Sequence, residues 1–72
     1  MTNIIISWQG EPQIEGWYAT LLYYDVEGIF YSANYWTGTY WDTNEPIFEC
    51  AGPFESKDIA GEWAYENNPE NY

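Results

Sequence analysis

Histidine and arginine are missing from this chain, Lys57 is its sole basic side chain, and cysteine occurs once, at Cys50. Each absence removes a class of chemistry. Without histidine there is no Ser-His or Cys-His nucleophile, and neither His nor Arg is at hand to hold Cys50 as a thiolate. A single cysteine can form no internal disulfide and no thiolate metal site, a usage that suits a reducing compartment. Paired carboxylates could in principle hydrolyse glycosides, but that reaction needs a cleft enclosing a distorted sugar, and 72 residues leave little chain to build one. The sequence reads as a non-enzyme that calls for no cofactor.

Long apolar runs are scarce as well. Residues 1–9 hold only Ile4, Ile5 and Ile6 in succession, with no base before them, which reads as neither a secretory leader nor a membrane span. No Asn-x-Ser/Thr sequon occurs. The expectation is a soluble cytoplasmic protein with no membrane partner.

What the chain does have is carboxylates and rings. Twelve acidic residues against one base give a formal net charge of −11 and a pI of 4.1, an imbalance that opposes folding by self-repulsion. Aromatic residues make up 22% of the sequence, which argues against acidic disorder. One domain spanning residues 1–72 would bury about 60% of the surface its unfolded chain exposes. Rings burying roughly 150–250 Å² each make that sufficient. A net charge of about 2 to 8 already keeps a small domain in solution, so the excess points to a basic partner, with plain solubility as the other reading.

Residues 14–24 alternate as a strand, Trp17, Ala19, Leu21 and Tyr23 facing one way and Tyr18, Thr20, Leu22 and Tyr24 the other. Asp25-Val26-Glu27-Gly28 supplies a turn, and residues 29–36 continue in β-type residues, so the two runs predict a hairpin. Residues 4–8 read as a further strand. After Thr37-Gly38, residues 39–42 read as a short strand and residues 47–51 as the last one, broken by Gly52-Pro53. Ser56 is a good N-cap, and Ile59, Ala60, Trp63 and Ala64 recur at helical spacing, predicting an amphipathic helix over residues 57–67 held by Trp63 and Ile59. Gly61 costs that helix roughly 1 kcal/mol relative to Ala. Residues 68–72 read as a frayed tail. The fold class is α+β: a small antiparallel meander of three to five strands with one C-terminal helix on one face.

Within this frame Asp58, Glu62 and Glu66 form one helix stripe, extended by Glu55. Like charges at that spacing cost a few tenths of a kcal/mol per pair, so the stripe needs solvation or a basic surface. Turn carboxylates Asp25, Glu27, Asp42 and Glu45 would join it if the turns lie near that face. They match no calcium-loop spacing and read as solvated rather than metal-binding. A rigid array of carboxylates can occupy a Lys/Arg groove meant for nucleic acid, whereas nucleic acid itself would be repelled. The expected partner is therefore a basic nucleic-acid-binding protein or complex of a host. Sixteen rings exceed what one helix can cover, so some are expected on the surface or in a homodimer interface burying the second sheet face.

In size, acidity and α+β reading the chain resembles phage-encoded inhibitors of host defence, including anti-CRISPR and anti-restriction proteins that mimic DNA. That resemblance implies a protein that blocks target DNA binding by a defence complex. Separately, residues 29–37 together with Glu45-Pro46 look like the core of small chitin- and cellulose-binding modules, which implies sugar stacking on Tyr35, Trp36 and Trp41.

Overall fold

The computed structural model describes residues 6–68 and contains three strands and one helix: β1 (Gly16–Tyr24), β2 (Gly28–Trp36), β3 (Ile47–Phe54) and α1 (Lys57–Asn67). β1 and β2 form the expected hairpin, in unbroken register from Gly16 opposite Trp36 to Tyr24 opposite Gly28. Gly28 closes the turn at φ +96°, a conformation that disfavours any side chain. β3 then pairs antiparallel with β1, giving the order β2-β1-β3. The small α+β architecture is as expected, but the order is not that of a meander: the third strand crosses to the far edge of the first.

Three further strand expectations are corrected. Residues 39–42 form no strand; Trp41 makes a single-residue bridge to Trp36, because the chain turns back over residues 37–40 and leaves at once. β3 is not broken by Gly52-Pro53 but runs through it to Phe54, with a register shift against β1 between Trp17 and Ala19. A bulge on an edge strand is where proline is tolerated. Gly52 has φ +145°, and a Cβ there would meet the Trp17 carbonyl oxygen at 3.1 Å, so a side chain would be strained and would push on β1. Of the expected strand over residues 4–8, residues 4 and 5 lie outside the described residues, and residues 6–8 are not extended in the sheet; Gln9 alone bridges Cys50 on the outer edge of β3.

Five consecutive residues of β1, from Tyr18 to Leu22, are buried, so both faces of the central strand are covered. On one face α1 packs through Ala60 and Ala64, both fully buried, with Ala64 against Ala19 and Ala51. Trp63 closes this core, edge-on to Trp8 at 5.0 Å and tilted on Phe54 at 5.8 Å. The other face is covered by the connection between β2 and β3. Trp41 stands edge-on to Tyr18 at 5.7 Å, Asp42 Oδ1 accepts from Asn34 Nδ2 at 3.2 Å, and Glu45 Oε2 accepts from the Tyr24 hydroxyl at 3.2 Å. The chain thus buries its own second sheet face, and no subunit interface is required to do so.

The helix starts where expected, with Ser56 Oγ accepting from the Ile59 backbone N–H at 3.2 Å. Its packing differs from expectation. Ile59 is 44% exposed, and the small residues Ala60 and Ala64 make the contact, which lets the helix backbone lie close to Ala19 and Ala33. At its far end the Trp8 indole N–H donates to the Asn67 carbonyl at 2.9 Å, satisfying one of the carbonyls a helix terminus leaves open. Asn68, expected as the start of a frayed tail, is buried, and its side-chain amide donates to the Tyr65 carbonyl at 3.0 Å. Residues 69–72 lie outside the described residues.

Helix packing through alanine makes a test. Ala64→Leu overfills the contact and should cost about 1–3 kcal/mol, whereas Ile59→Ala should change stability by less than about 0.5 kcal/mol. Thermal melts followed by circular dichroism rank the two, at roughly 4–8 °C per kcal/mol for a domain of this size. The reverse ranking would put Ile59 in the core.

Candidate functional site

Ten of the eleven carboxylates among the described residues are exposed, and Glu49 is half-buried. Helical geometry puts Asp58, Glu62 and Glu66 on the side of α1 away from Ala60 and Ala64, so the stripe faces solvent over about 12 Å of helix axis. Glu55, also exposed, precedes the N-cap. The fixed backing of this array is the alanine contact described above.

The turn carboxylates do not join the stripe. Asp25 and Glu27 flank the exposed Val26 at the tip of the hairpin. Asp42 and Glu45 sit across the sheet from the helix, where they anchor the β2–β3 connection to Asn34 and Tyr24. Behind Asp42 the Thr20 hydroxyl, fully buried, donates to Asn34 Oδ1 at 2.7 Å, so a buried polar group is satisfied by a relay ending at a surface carboxylate. The eight residues expected as one partner surface are thus divided among the outer helix face, the hairpin tip and the opposite sheet face. Among the described residues no three of His, Cys, Asp and Glu form a group that could hold a metal ion, and no helix is long and apolar enough to cross a membrane.

The three rings of the sugar-stacking reading are divided too. Tyr35 lies on the helix side, edge-on to Trp17 at 5.0 Å, and its hydroxyl donates to Glu15 Oε2 at 2.7 Å. That hydrogen bond, followed by burial and the Glu15 charge, raises its pKa above the ordinary 10.0. Trp36 and Trp41 are on the opposite side, their centroids 5.2 Å apart and their planes inclined at 63°. They form a corner rather than a platform. A hollow of about 330 Å³ lies against it, lined by Gly10, Glu11, Pro12, Trp36 and Trp41.

A second hollow, of about 400 Å³, runs along the outer edge of β3, with Glu11, Tyr18, Cys50 and Pro53 among its lining. Glu11 therefore stands between the two. Sequence reasoning missed Glu11, Pro12 and Glu15, because residues 10–13 carry no pattern and residues 14 and 15 read as part of a strand that begins only at Gly16. Tyr18 holds the end of this stretch, its hydroxyl donating to the Ile14 carbonyl at 2.7 Å and accepting from the Ile14 N–H at 3.3 Å, while Glu15 accepts from Tyr35.

Cys50 is buried, and burial, then the charges of Glu49 and Glu11, push its thiol from an ordinary 9.0 up to about 11. It is a packed side chain whose thiol is held in the protonated form at neutral pH. No family model, curated protein or solved structure matches the chain.

The raised thiol sets a pH dependence. Between pH 9 and about 11 the unfolded chain releases the Cys50 proton and the folded one keeps it, so stability falls as pH rises through this window. Tyr24, raised above 10.0 by burial and then by Glu45, and Tyr35 act in the same direction at higher pH. Urea midpoints at about pH 8 and pH 10 should show the loss, and Cys50→Ala should reduce it. A flat profile would mean that the thiol ionises freely in the folded state.

Proposed function

We propose that the protein is a non-catalytic inhibitor, of the kind phages direct against host defence, that occupies a basic nucleic-acid groove and keeps target DNA out. The observation that carries this reading is the exposed carboxylate row Asp58, Glu62 and Glu66 on a helix held rigidly by buried alanines, in a chain with a net charge of −11. Opposite charge on the partner would relieve the repulsion within the row and speed encounter by long-range attraction. Glu55 extends the surface toward β3, while Asp25 and Glu27 contribute from the hairpin tip. Asp42 and Glu45 add to the overall field from the opposite face. The partner in this reading is a DNA-handling protein complex in the cytoplasm of a host cell.

The test is capture from bacterial lysate on immobilised protein, at low and moderate salt, followed by elution with duplex DNA. A nucleic-acid-processing complex should be retained at low salt, released as screening increases, and displaced by DNA. The triple reversal Asp58→Lys, Glu62→Lys, Glu66→Lys should fold with an unchanged circular dichroism spectrum and retain that complex at least roughly tenfold more weakly. Undiminished retention by the reversed protein would remove the stripe from the interface. Retention that DNA leaves untouched would end the mimicry reading.

A further inference from the structure

We propose that the hollow between the Trp36–Trp41 corner and the bend at residues 10–12 is a binding site for an organic cation, a guanidinium or alkylammonium head. This inference does not depend on the function proposed above, because the hollow lies across the sheet from the helix stripe.

The lining has the chemistry for it. Two of the five residues are tryptophans, one is Pro12, one is Gly10, and the only charged side chain and only side-chain acceptor is the exposed carboxylate of Glu11. Indole faces carry negative potential and attract cations, tryptophan most strongly. A carboxylate on the adjoining wall adds a full negative charge. Among the described residues the sole basic side chain, Lys57, starts the helix on the opposite sheet face and offers no cation to the corner. A neutral sugar would find no flat pair of rings to stack on, given the 63° inclination. An anion would be repelled.

The corner is also held in place before any ligand arrives. Trp41 is wedged edge-on against Tyr18, and Tyr18 is pinned at its hydroxyl to residues 13 and 14. Its neighbour Asp42 donates its backbone N–H to the Tyr35 carbonyl at 3.0 Å. Trp36 is fixed by its place at the end of β2, opposite Gly16. Both walls thus hang on Tyr18, whose ring orients Trp41 and whose hydroxyl holds the segment carrying Glu11 and Pro12. A site already in its bound geometry loses little conformational freedom on binding.

The experiment follows indole N–H resonances of the folded, ¹⁵N-labelled protein during titration with choline, with N-acetyl-arginine amide, and with 3,3-dimethylbutan-1-ol, the uncharged isostere of choline, at matched ionic strength. Trp36 and Trp41 signals, assigned from the Trp36→Phe and Trp41→Phe spectra, should shift saturably in the millimolar range with the two cations. They should not respond to the isostere, and the Trp17 and Trp63 signals should stay in place. Tighter saturation by choline would identify a free quaternary ammonium as the ligand, and tighter saturation by the arginine derivative a protein side chain. Glu11→Gln, at an exposed position that leaves the fold intact, should weaken binding severalfold. Absence of any shift beyond that of sodium chloride, or an equal response to the uncharged isostere, would each overturn the proposal.

Discussion

A central strand buried on both faces is the constraint from which the remaining architecture follows. Tyr18, Thr20 and Leu22 project to one side of β1 and Ala19 and Leu21 to the other, and all five are shielded from solvent. One helix can shield one side only. The second must be covered by chain that is not helix or sheet, and the β2–β3 connection does this while carrying the strand direction from one edge of β1 to the other. The order β2-β1-β3 and the excursion of Trp41 across Tyr18 are thus two aspects of one requirement. A simple meander would have left Tyr18 and Leu22 in water.

The parts of the fold readable from sequence are those with a local cause. Alternation marks β1, β-type residues mark β2, turn residues mark the hairpin, and Ser56 marks the helix start, in each case within a residue or two of the observed boundary. The long-range features are not readable in this way. Nothing local says that Trp41 will sit on Tyr18 and not extend a strand, or that β3 will absorb Gly52-Pro53 as a bulge. Likewise the assignment of Ile59 to the core follows from hydrophobicity, whereas the observed contact follows from size: Ala60 and Ala64 allow close approach where Ile would hold the helix away.

The candidate site divides along the same line. The row Asp58, Glu62 and Glu66 was legible because helical spacing alone groups it. Asp42 and Glu45 were legible as acidic turn residues but not as anchors, since their partners Asn34 and Tyr24 lie 8 and 21 residues away in the chain. The surplus of rings was legible too, but its resolution was not. Trp17 meets Tyr35, Trp36 meets Trp41, and Tyr31 meets Tyr65, each edge to face, an arrangement aromatic pairs favour. The rings pair on both sides of the sheet, yet Tyr23, Phe30, Tyr31, Tyr40, Phe48 and Tyr65 remain exposed.

Carboxylates on the outer helix face, at the hairpin tip, on the β2–β3 connection and along residues 11–15 surround the molecule with one sign of charge. At a distance the shared sign speeds encounter with a basic partner from several sides. Orientation must then be decided at contact range, by features that differ from one face to the next. The straight row on the helix and the angular indole corner on the reverse are the two that this fold presents.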